Sequence, residues 1–352
     1  MRAFSWYYSP VLLLGALCLP IDNAHAAKLA GVQCEAGLNA TPGSSGIVTL
    51  DPVTPSNANA VNTIAQLNYK CTQSGLSSGY VSMCFGVDGG SYNPGVISPR
   101  YLSKGATSPT KPRLAFSMAP QGTSLWGPID SGNEYITAKI PIAGRNSSDG
   151  RNVIEGKIDI NIRLSGSENT LATVGTYTNT FTNTSLKYDG DTLAGLANCS
   201  YSILPGRNAF PFTVQTTVIE DCKISTTVGD IDLGSKPATE RDIAGETVIG
   251  VTCTNNAPYN IGLSPSNNNL DGSGVMTSKN SNNTDKVPYQ LRSKSGPNGT
   301  VWGNRTTVTD TGNGVAGKGT GTSQTKAVYV TVPSADYKPD EYSDTVTINV
   351  HY

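Results

Sequence analysis

Residues 342–352, YSDTVTINVHY, alternate apolar and polar side chains up to the last residue of the sequence. Val346, Ile348 and Val350 fall on one face of this stretch, and polar side chains fall on the other. A period of two predicts a β-strand with one buried face. A counterpart lies earlier in the chain at 177–188, YTNTFTNTSLKY. The two stretches together predict a strand-rich chain with an internal repeat.

The composition favours an all-β protein. Of the 352 residues 37% are hydrophobic and 14% charged, and 38 are Gly and 21 Pro. Short Val, Ile, Thr and Tyr runs between Gly, Asn, Ser and Pro are typical of strands and turns, and the length suits two domains. The 25 basic and 26 acidic residues nearly cancel, so we expect no nucleic-acid partner and no attraction to anionic membranes.

The first 26 residues have the pattern of a secretory signal peptide. Arg2 supplies the positive charge, 11–19 the apolar segment, and Ala24-His25-Ala26 the cleavage site, which leaves Ala27 as the mature N-terminus. The apolar segment is shorter than the about 20 residues that a membrane-spanning helix needs. We therefore expect an exported, soluble protein without membrane insertion.

Export places the cysteines in an oxidising compartment. Six remain after cleavage, namely Cys34, Cys71, Cys84, Cys199, Cys222 and Cys253. An even number without a CxxC spacing favours three disulfides over a zinc or redox site.

The mature chain offers only one histidine for catalysis, His351. A Ser-His-Asp or Cys-His arrangement would have to use that residue, which the alternation places on the polar face of the last strand. Asp189-Gly190-Asp191 and Asp271-Gly272 lack the ligand series of a calcium loop, and turn chemistry explains both. We therefore expect no catalytic residue, no cofactor and no metal site.

The order of motifs repeats along the chain. Cys222, Cys253-Thr254, 301–303 (VWG) and 342–352 in the second half correspond to Cys34, Cys71-Thr72, 125–127 (LWG) and 177–188 in the first. The repeat predicts two domains of one fold, with Trp126 and Trp302 in their cores. It also pairs Cys34 with Cys71 and Cys222 with Cys253, which leaves Cys84 and Cys199 to bond each other.

An ordered series of short motifs in the second half carries a family resemblance. The motifs are 222–225 (CKIS), 232–234 (DLG), 251–254 (VTCT), 258–261 (PYNI), 288–291 (PYQL), 301–303 (VWG) and 341–346 (EYSDTV). This half resembles the spore coat protein U domain, the pilin-type domain of archaic chaperone–usher pili. The resemblance implies an incomplete immunoglobulin-like β-sandwich whose last strand comes from another molecule. The first half matches more loosely, as in two-domain tip adhesins, and departs from it in its cysteine spacing and the strand-like run 157–164.

Two segments bear on strand exchange. The last strand reaches Tyr352, so we expect Val346, Ile348, Val350 and Tyr352 to form an edge that accepts a donor strand; an ordinary edge strand is the alternative. Residues 27–33 are too short to serve as a donor. Residues 210–219 (FPFTVQTTVI) alternate like a donor strand, and they either complete the first domain in cis or begin the second.

The resulting division is a signal peptide at 1–26, an adhesin domain at 27–208, a linker or cis-completing strand at 209–221 and a pilin domain at 222–352. The leading interpretation is a non-catalytic pilus tip adhesin at the cell surface. The resemblance implies a periplasmic chaperone, an outer-membrane usher and an adjacent pilin as partners. A secreted coat or biofilm subunit is the alternative, and the single histidine disfavours a secreted hydrolase.

The adhesive site is expected at the pole of the first domain that faces away from the second. If 210–219 returns antiparallel beside 177–188, the connection between them lies at that pole. It carries Leu193, Leu196, Ile203 and Leu204, and exposed apolar residues on a rigid loop mark a contact surface. Burial of Leu193 or Ile203 inside the domain is the alternative. The surface or receptor that it contacts is not identified by the sequence.

Overall fold

The computed structural model describes residues 27–105, 112–146, 151–201, 206–207, 209–225 and 229–352. The predicted signal peptide lies outside them. The first domain contains β1 Val32–Leu38, β2 Gly46–Thr49, β3 Asn62–Gln73, β4 Gly79–Val87, β5 Arg100–Ser103, β6 Arg113–Pro120, β7 Tyr135–Ile136, β8 Ile140–Ile142, β9 Val153–Leu164, β10 Gly175–Phe181, β11 Thr184–Asp191, β12 Gly206–Arg207 and β13 Phe212–Val218, with 3-10 helices η1 Ser167–Leu171 and η2 Cys199–Tyr201. The second contains β14 Cys222–Ser225, β15 Arg241–Cys253, β16 Pro258–Pro265, β17 Ser273–Ser278, β18 Lys286–Arg292, β19 Val315–Lys318, β20 Ser323–Ser334, β21 Tyr342–Ser343 and β22 Val346–His351.

Two sheets enclose the core of the first domain. The larger has the order β1-β3-β9-β6-β5-β10-β13-β2, and the smaller β12-β11-β4-β7 with β8 also on β4. All described pairings between these strands are antiparallel except β13 with β2, which is parallel. Buried apolar residues from both sheets, such as Phe85, Phe116, Ile160 and Val214, form one cluster. The fold of this half is therefore a two-layer β structure.

The second domain repeats this plan with fewer strands. Its sheets have the orders β14-β15-β20-β18-β17-β21 and β19-β16-β22. Apolar side chains from both sheets, including Val251, Ile261 and Val330, form a single core. The prediction of an all-β protein is confirmed.

A tryptophan is buried at the same place in each domain. The Trp126 indole Nε1 donates a hydrogen bond to the Phe85 carbonyl over 2.9 Å, and Trp302 Nε1 donates to the Ile261 carbonyl over 2.8 Å. Both tryptophans are fully buried. Phe85 lies on β4 and Ile261 on β16, so these two strands are equivalent.

The structure contains three disulfides, in the pairs that the repeat predicts. Cys34–Cys71 joins β1 to β3 and Cys222–Cys253 joins β14 to β15, each across directly opposed residues. Cys84–Cys199 joins β4 to η2 within the first domain.

The stretch 177–188 is not the single strand that its alternation suggests. β10 ends at Phe181 in the larger sheet, and β11 begins at Thr184 in the smaller one. The chain crosses between the sheets at Thr182 and Asn183, which are both exposed. The apolar positions change phase at this point, from the odd-numbered Tyr177 and Phe181 to the even-numbered Leu186 and Tyr188, as expected where a chain crosses between facing sheets.

Candidate functional site

Strand β13 fills a position in the larger sheet of the first domain. It pairs antiparallel with β10, from Gly175↔Val218 to Phe181↔Phe212, and parallel with β2 on its other side. The inward side chains of Phe212, Val214 and Val218 are buried. The segment that resembles a donor strand therefore lies in the first domain's sheet rather than in the second domain.

Aromatic stacking adds to the packing of this segment. The Phe212 ring stacks on Phe181 with centroids 4.6 Å apart, and the Phe210 ring stacks on Trp126 at 5.9 Å. Such pairs contribute beyond the apolar area that they bury. Earlier in the chain, β12 pairs with Ser185 and Leu186 of β11, so β12 and β13 pair with β11 and β10, respectively.

The last strand of the second domain has one paired and one open edge. β22 pairs antiparallel with β16, from Asn260↔His351 to Pro265↔Val346, and no strand in the described ranges pairs with its other edge. Val346, Ile348 and Val350 point into the core but are only half-buried. Ile261 on the neighbouring β16 is fully buried. The core is thus incompletely covered along β22.

A cavity of about 720 Å³ lies in the second domain, beside β21. Its apolar lining includes Ile231, Leu233, Ile243, Met276, Val287 and Val332. It opens between 231–238, which follow β14, and the segment that includes β21. In the first domain the corresponding elements are β2, which follows β1, and β10, and β13 lies between them. The second domain therefore has an opening where the first has a strand.

A partly buried polar contact links β18 to the segment that follows β21. The Tyr289 hydroxyl donates to Asp344 Oδ2 over 2.6 Å. Burial raises the pKa of Tyr289 well above its ordinary value, and the Asp344 carboxylate raises it further. This bond anchors the chain between β21 and β22 on the core-facing side of β18.

The pole of the first domain away from the second is defined by strand direction. β13 ends at Val218 beside the junction, where Thr173 forms a bridge with Asn255 of the second domain. At the opposite end, Tyr80 of β4 pairs with Asp191 of β11 and Gly79 with Ile142 of β8. The loops at 74–78, 143–146 and 192–198 therefore emerge together at this end, which we call the free pole.

Exposed leucines lie on two of these loops. Leu193 and Leu196 are 48% and 50% exposed, and Leu76 on the neighbouring loop is 66% exposed. Ile203 and Leu204, predicted with them, lie outside the described residues. Leu76 was not predicted, because one leucine in the turn Gly75-Leu76-Ser77 produces no periodic signal.

The loop 192–198 is held at its C-terminal end and closed by a turn. Cys199 joins it to β4, and Ala197 is fully buried at its base. The Ala197 N–H donates to the Leu193 carbonyl over 3.3 Å, which closes a turn around Leu196. Two leucines are thus presented on an anchored turn.

The residues considered for chemistry do not come together. His351 lies half-buried on β22, with Nε2 3.4 Å from Asn304 Oδ1. Asp271 forms an exposed ion pair with Arg305. The described part of the chain brings no three His, Cys, Asp or Glu side chains into an arrangement that could hold a metal. Nor does that part contain a helix of the length and apolarity required to cross a bilayer.

The Spore Coat Protein U domain family matches residues 208–349. The second half of this chain is therefore a domain of that family, as its motifs predicted. No curated protein matches the chain.

Solved structures of tip subunits are similar at low identity. A chain from the CsuC–CsuE chaperone–tip adhesion subunit complex of archaic chaperone–usher Csu pili of Acinetobacter baumannii is 16% identical, with 91% of this chain and 100% of that chain covered and a TM-score of 0.48. The CupB6 tip adhesin of Pseudomonas aeruginosa is 13% identical, with coverages of 91% and 94% and a TM-score of 0.32. A chain from a chaperone–tip adhesin complex of CFA/I fimbriae is 11% identical, with coverages of 88% and 96% and a TM-score of 0.28.

Proposed function

We propose that this chain is a non-catalytic pilus tip adhesin whose second domain accepts a donor strand and whose first domain contacts a surface. One observation carries the proposal. Strand β13 falls within the residues matched by the Spore Coat Protein U family, yet it lies in the sheet of the first domain. The first domain is completed in cis, and the second keeps an opening at the corresponding position.

The open edge of β22 supplies the groups that would bind a donor strand. Unpaired backbone groups along β22 can bond an added strand, and the half-buried Val346, Ile348 and Val350 can pack against its alternating apolar side chains. The cavity beside β21, which precedes β22 in the chain, offers space for such side chains. Tyr352 extends this acceptor edge by one residue. A donor strand from an adjacent pilin is the occupant that fits, because β13 fills the corresponding position of the first domain, between β10 and β2.

Strand direction places the next subunit. β22 runs from Val346, at the far end of the second domain, toward His351 opposite Asn260, on the side of the first domain. A donor antiparallel to β21 and β22, as β13 is to β10 and β12 is to β11, leaves the opening at the far end. The adjacent pilin then lies on the side opposite the first domain, and the free pole becomes the end of the fibre.

This proposal also covers the export route and the domain division. We assign 1–26 to a signal peptide, 27–208 to the adhesin domain, 209–221 to the cis-completing strand and linker, and 222–352 to the pilin domain. A periplasmic chaperone would cover the opening before assembly, because exposed apolar surface and unpaired strand edges promote aggregation. An outer-membrane usher would then assemble the subunit at the cell surface.

The free pole supplies the adhesive surface. Leu76, Leu193 and Leu196 expose apolar area on neighbouring loops, and one of these loops is tied to β4 by a disulfide. Contact with an apolar surface or receptor patch would bury this area, at about 25 cal/mol per Å². Ile203 and Leu204 belong to the same connection and are proposed as further contacts.

The test replaces the three described leucines with serine in the full chain and measures attachment of assembled pili. We expect a roughly tenfold or greater loss of attachment to an apolar surface, with unchanged pilus assembly. A matched control replaces Ile47, Ile64 and Val248 with threonine, since these residues are equally exposed but lie on strand faces away from the free pole. Unchanged attachment of the leucine variant would favour the alternative, a structural subunit without a dedicated adhesive site.

A further inference from the structure

The segment just after the predicted cleavage site runs beside the end of β11. Lys28 forms an antiparallel bridge with Asp191, and the Leu29 N–H donates to the Gly190 carbonyl over 3.0 Å. The Thr192 N–H donates to the Ala27 carbonyl over 3.2 Å. The Leu29 side chain is buried in the core of the first domain. This segment is therefore part of the free pole.

Two carboxylates beside this segment hold the apolar loop. Asp189 and Asp191 are the last alternate residues of β11, not turn residues as their sequence suggested, so both side chains lie on one face. Asp191 Oδ1 accepts the Leu193 N–H over 3.1 Å, and Asp189 Oδ2 accepts the Asn198 N–H over 3.0 Å. One carboxylate thus binds each end of the turn that presents Leu196.

Lys28 is the cation that bridges the two carboxylates. Its Nζ lies 2.7 Å from Asp189 Oδ2 and 3.7 Å from Asp191 Oδ2. Asp191 is only 2% exposed, so its charge is poorly solvated and needs a partner. The hydrogen bond to Asp189 raises the pKa of Lys28 above its ordinary value. Without Lys28, two neighbouring negative charges would repel each other at the base of the loop.

We propose that Lys28 is a positioning residue for the adhesive loop: by neutralising Asp189 and Asp191, it keeps both carboxylates bonded to the backbone of 192–198. The disulfide fixes the loop at Cys199, and the Leu193 end is held by the Asp191 carboxylate together with the bond from the Thr192 N–H to the Ala27 carbonyl. The consequence for attachment rests on the proposed function, whereas the effect on loop order does not.

The test compares Lys28→Met with Lys28→Arg in the full secreted chain. Methionine keeps the apolar stem and removes the charge, and arginine keeps the charge. Hydrogen exchange of the peptide spanning 192–198 is expected to be roughly tenfold faster in Lys28→Met and near the parent rate in Lys28→Arg. Lys70→Met is the matched control, because Lys70 forms an exposed pair with Glu155 at 3.2 Å in the same domain.

Attachment is measured on the same variants. We expect Lys28→Met to lose several-fold attachment while β3 and β9 keep their exchange rates, and Asp189→Asn to loosen the loop in the same way. Unchanged exchange at 192–198 in Lys28→Met would overturn the clamp. Faster exchange with parental attachment would overturn its positioning role, provided that the leucine variant has lost attachment. If the leucine variant still attaches, the proposed adhesive site fails, and the exchange rates alone decide the clamp.

Discussion

At the scale of single residues, Arg100 is a buried charged side chain with four hydrogen bonds in the first domain. It is 1% exposed, and its guanidinium donates to the carbonyls of Asp88, Ile97, Val87 and Trp126. Burial lowers its pKa to about 10, which still leaves it charged at neutral pH. The charge is tolerated because the carbonyl oxygens replace its hydration.

We predict that Arg100→Met destabilises the chain by about 2–4 kcal/mol, because several buried carbonyls lose their donor. Urea unfolding, followed by the fluorescence of Trp126 and Trp302, measures the change. Arg163→Met is the control, since Arg163 is exposed on β9. Equal stabilities of the two variants would show that the hydrogen bonds of Arg100 do not stabilise the first domain.

Residues differ in how far the sequence predicts their roles. Trp126, Trp302 and the two matched disulfides were predicted because each occurs twice in the same order. Arg100, Leu76 and Lys28 occur once, and their roles depend on contacts between segments that are distant in sequence. Lys28 meets Asp189 only because β11 ends beside the N-terminal segment. No local pattern indicates such a contact.

At the scale of elements, β13 is the strand that completes the larger sheet of the first domain. We predict that Phe212→Ala costs about 3–5 kcal/mol, because it opens a cavity and removes the stack on Phe181. The loss is expected in the unfolding of the first domain, measured by exchange of β10 amides, and not in β15 or β20. Thr217→Ala is the control on the same strand, since Thr217 faces solvent. Equal loss in both domains would contradict cis completion of the first domain alone.

The alternation predicts β13 and β22 as strands but not the sheets to which they belong. Period two defines which face is buried, and it does not define the neighbours on either edge. For β13 both alternatives satisfied the pattern, and the aromatic pairs Phe212–Phe181 and Phe210–Trp126 explain why it packs in the first domain. The crossing after Phe181 was missed although the apolar positions change there from odd-numbered to even-numbered residues, because 177–188 was read as one strand.

At the scale of the whole molecule, the two domains are arranged head to tail, because equivalent strands of the two domains point the same way along the chain of domains. β10 and β11 run away from the junction, and β22 runs toward it. Short contacts connect the domains: Thr254 Oγ1 donates to the Ile219 carbonyl over 2.9 Å, and the Asp221 N–H donates to Thr254 Oγ1 over 3.1 Å. The internal repeat predicted two domains of one fold, but this head-to-tail order needed the strand pairings.

The central claim is that β13 completes the first domain while β22 awaits a strand from another subunit. Hydrogen exchange of the full mature chain, with and without a donor peptide fused after Tyr352 through a flexible turn, tests it most directly. The fusion point suits an antiparallel donor, because Tyr352 lies at the end of β22 nearest the first domain. We predict slow exchange in β13 in both proteins, and exchange in β22 that is fast alone and slow with the donor. A scrambled peptide that places polar residues at the apolar positions should leave β22 fast. Exchange in β22 that is as slow as in β13 without a donor, or that the donor leaves unchanged, would contradict the account.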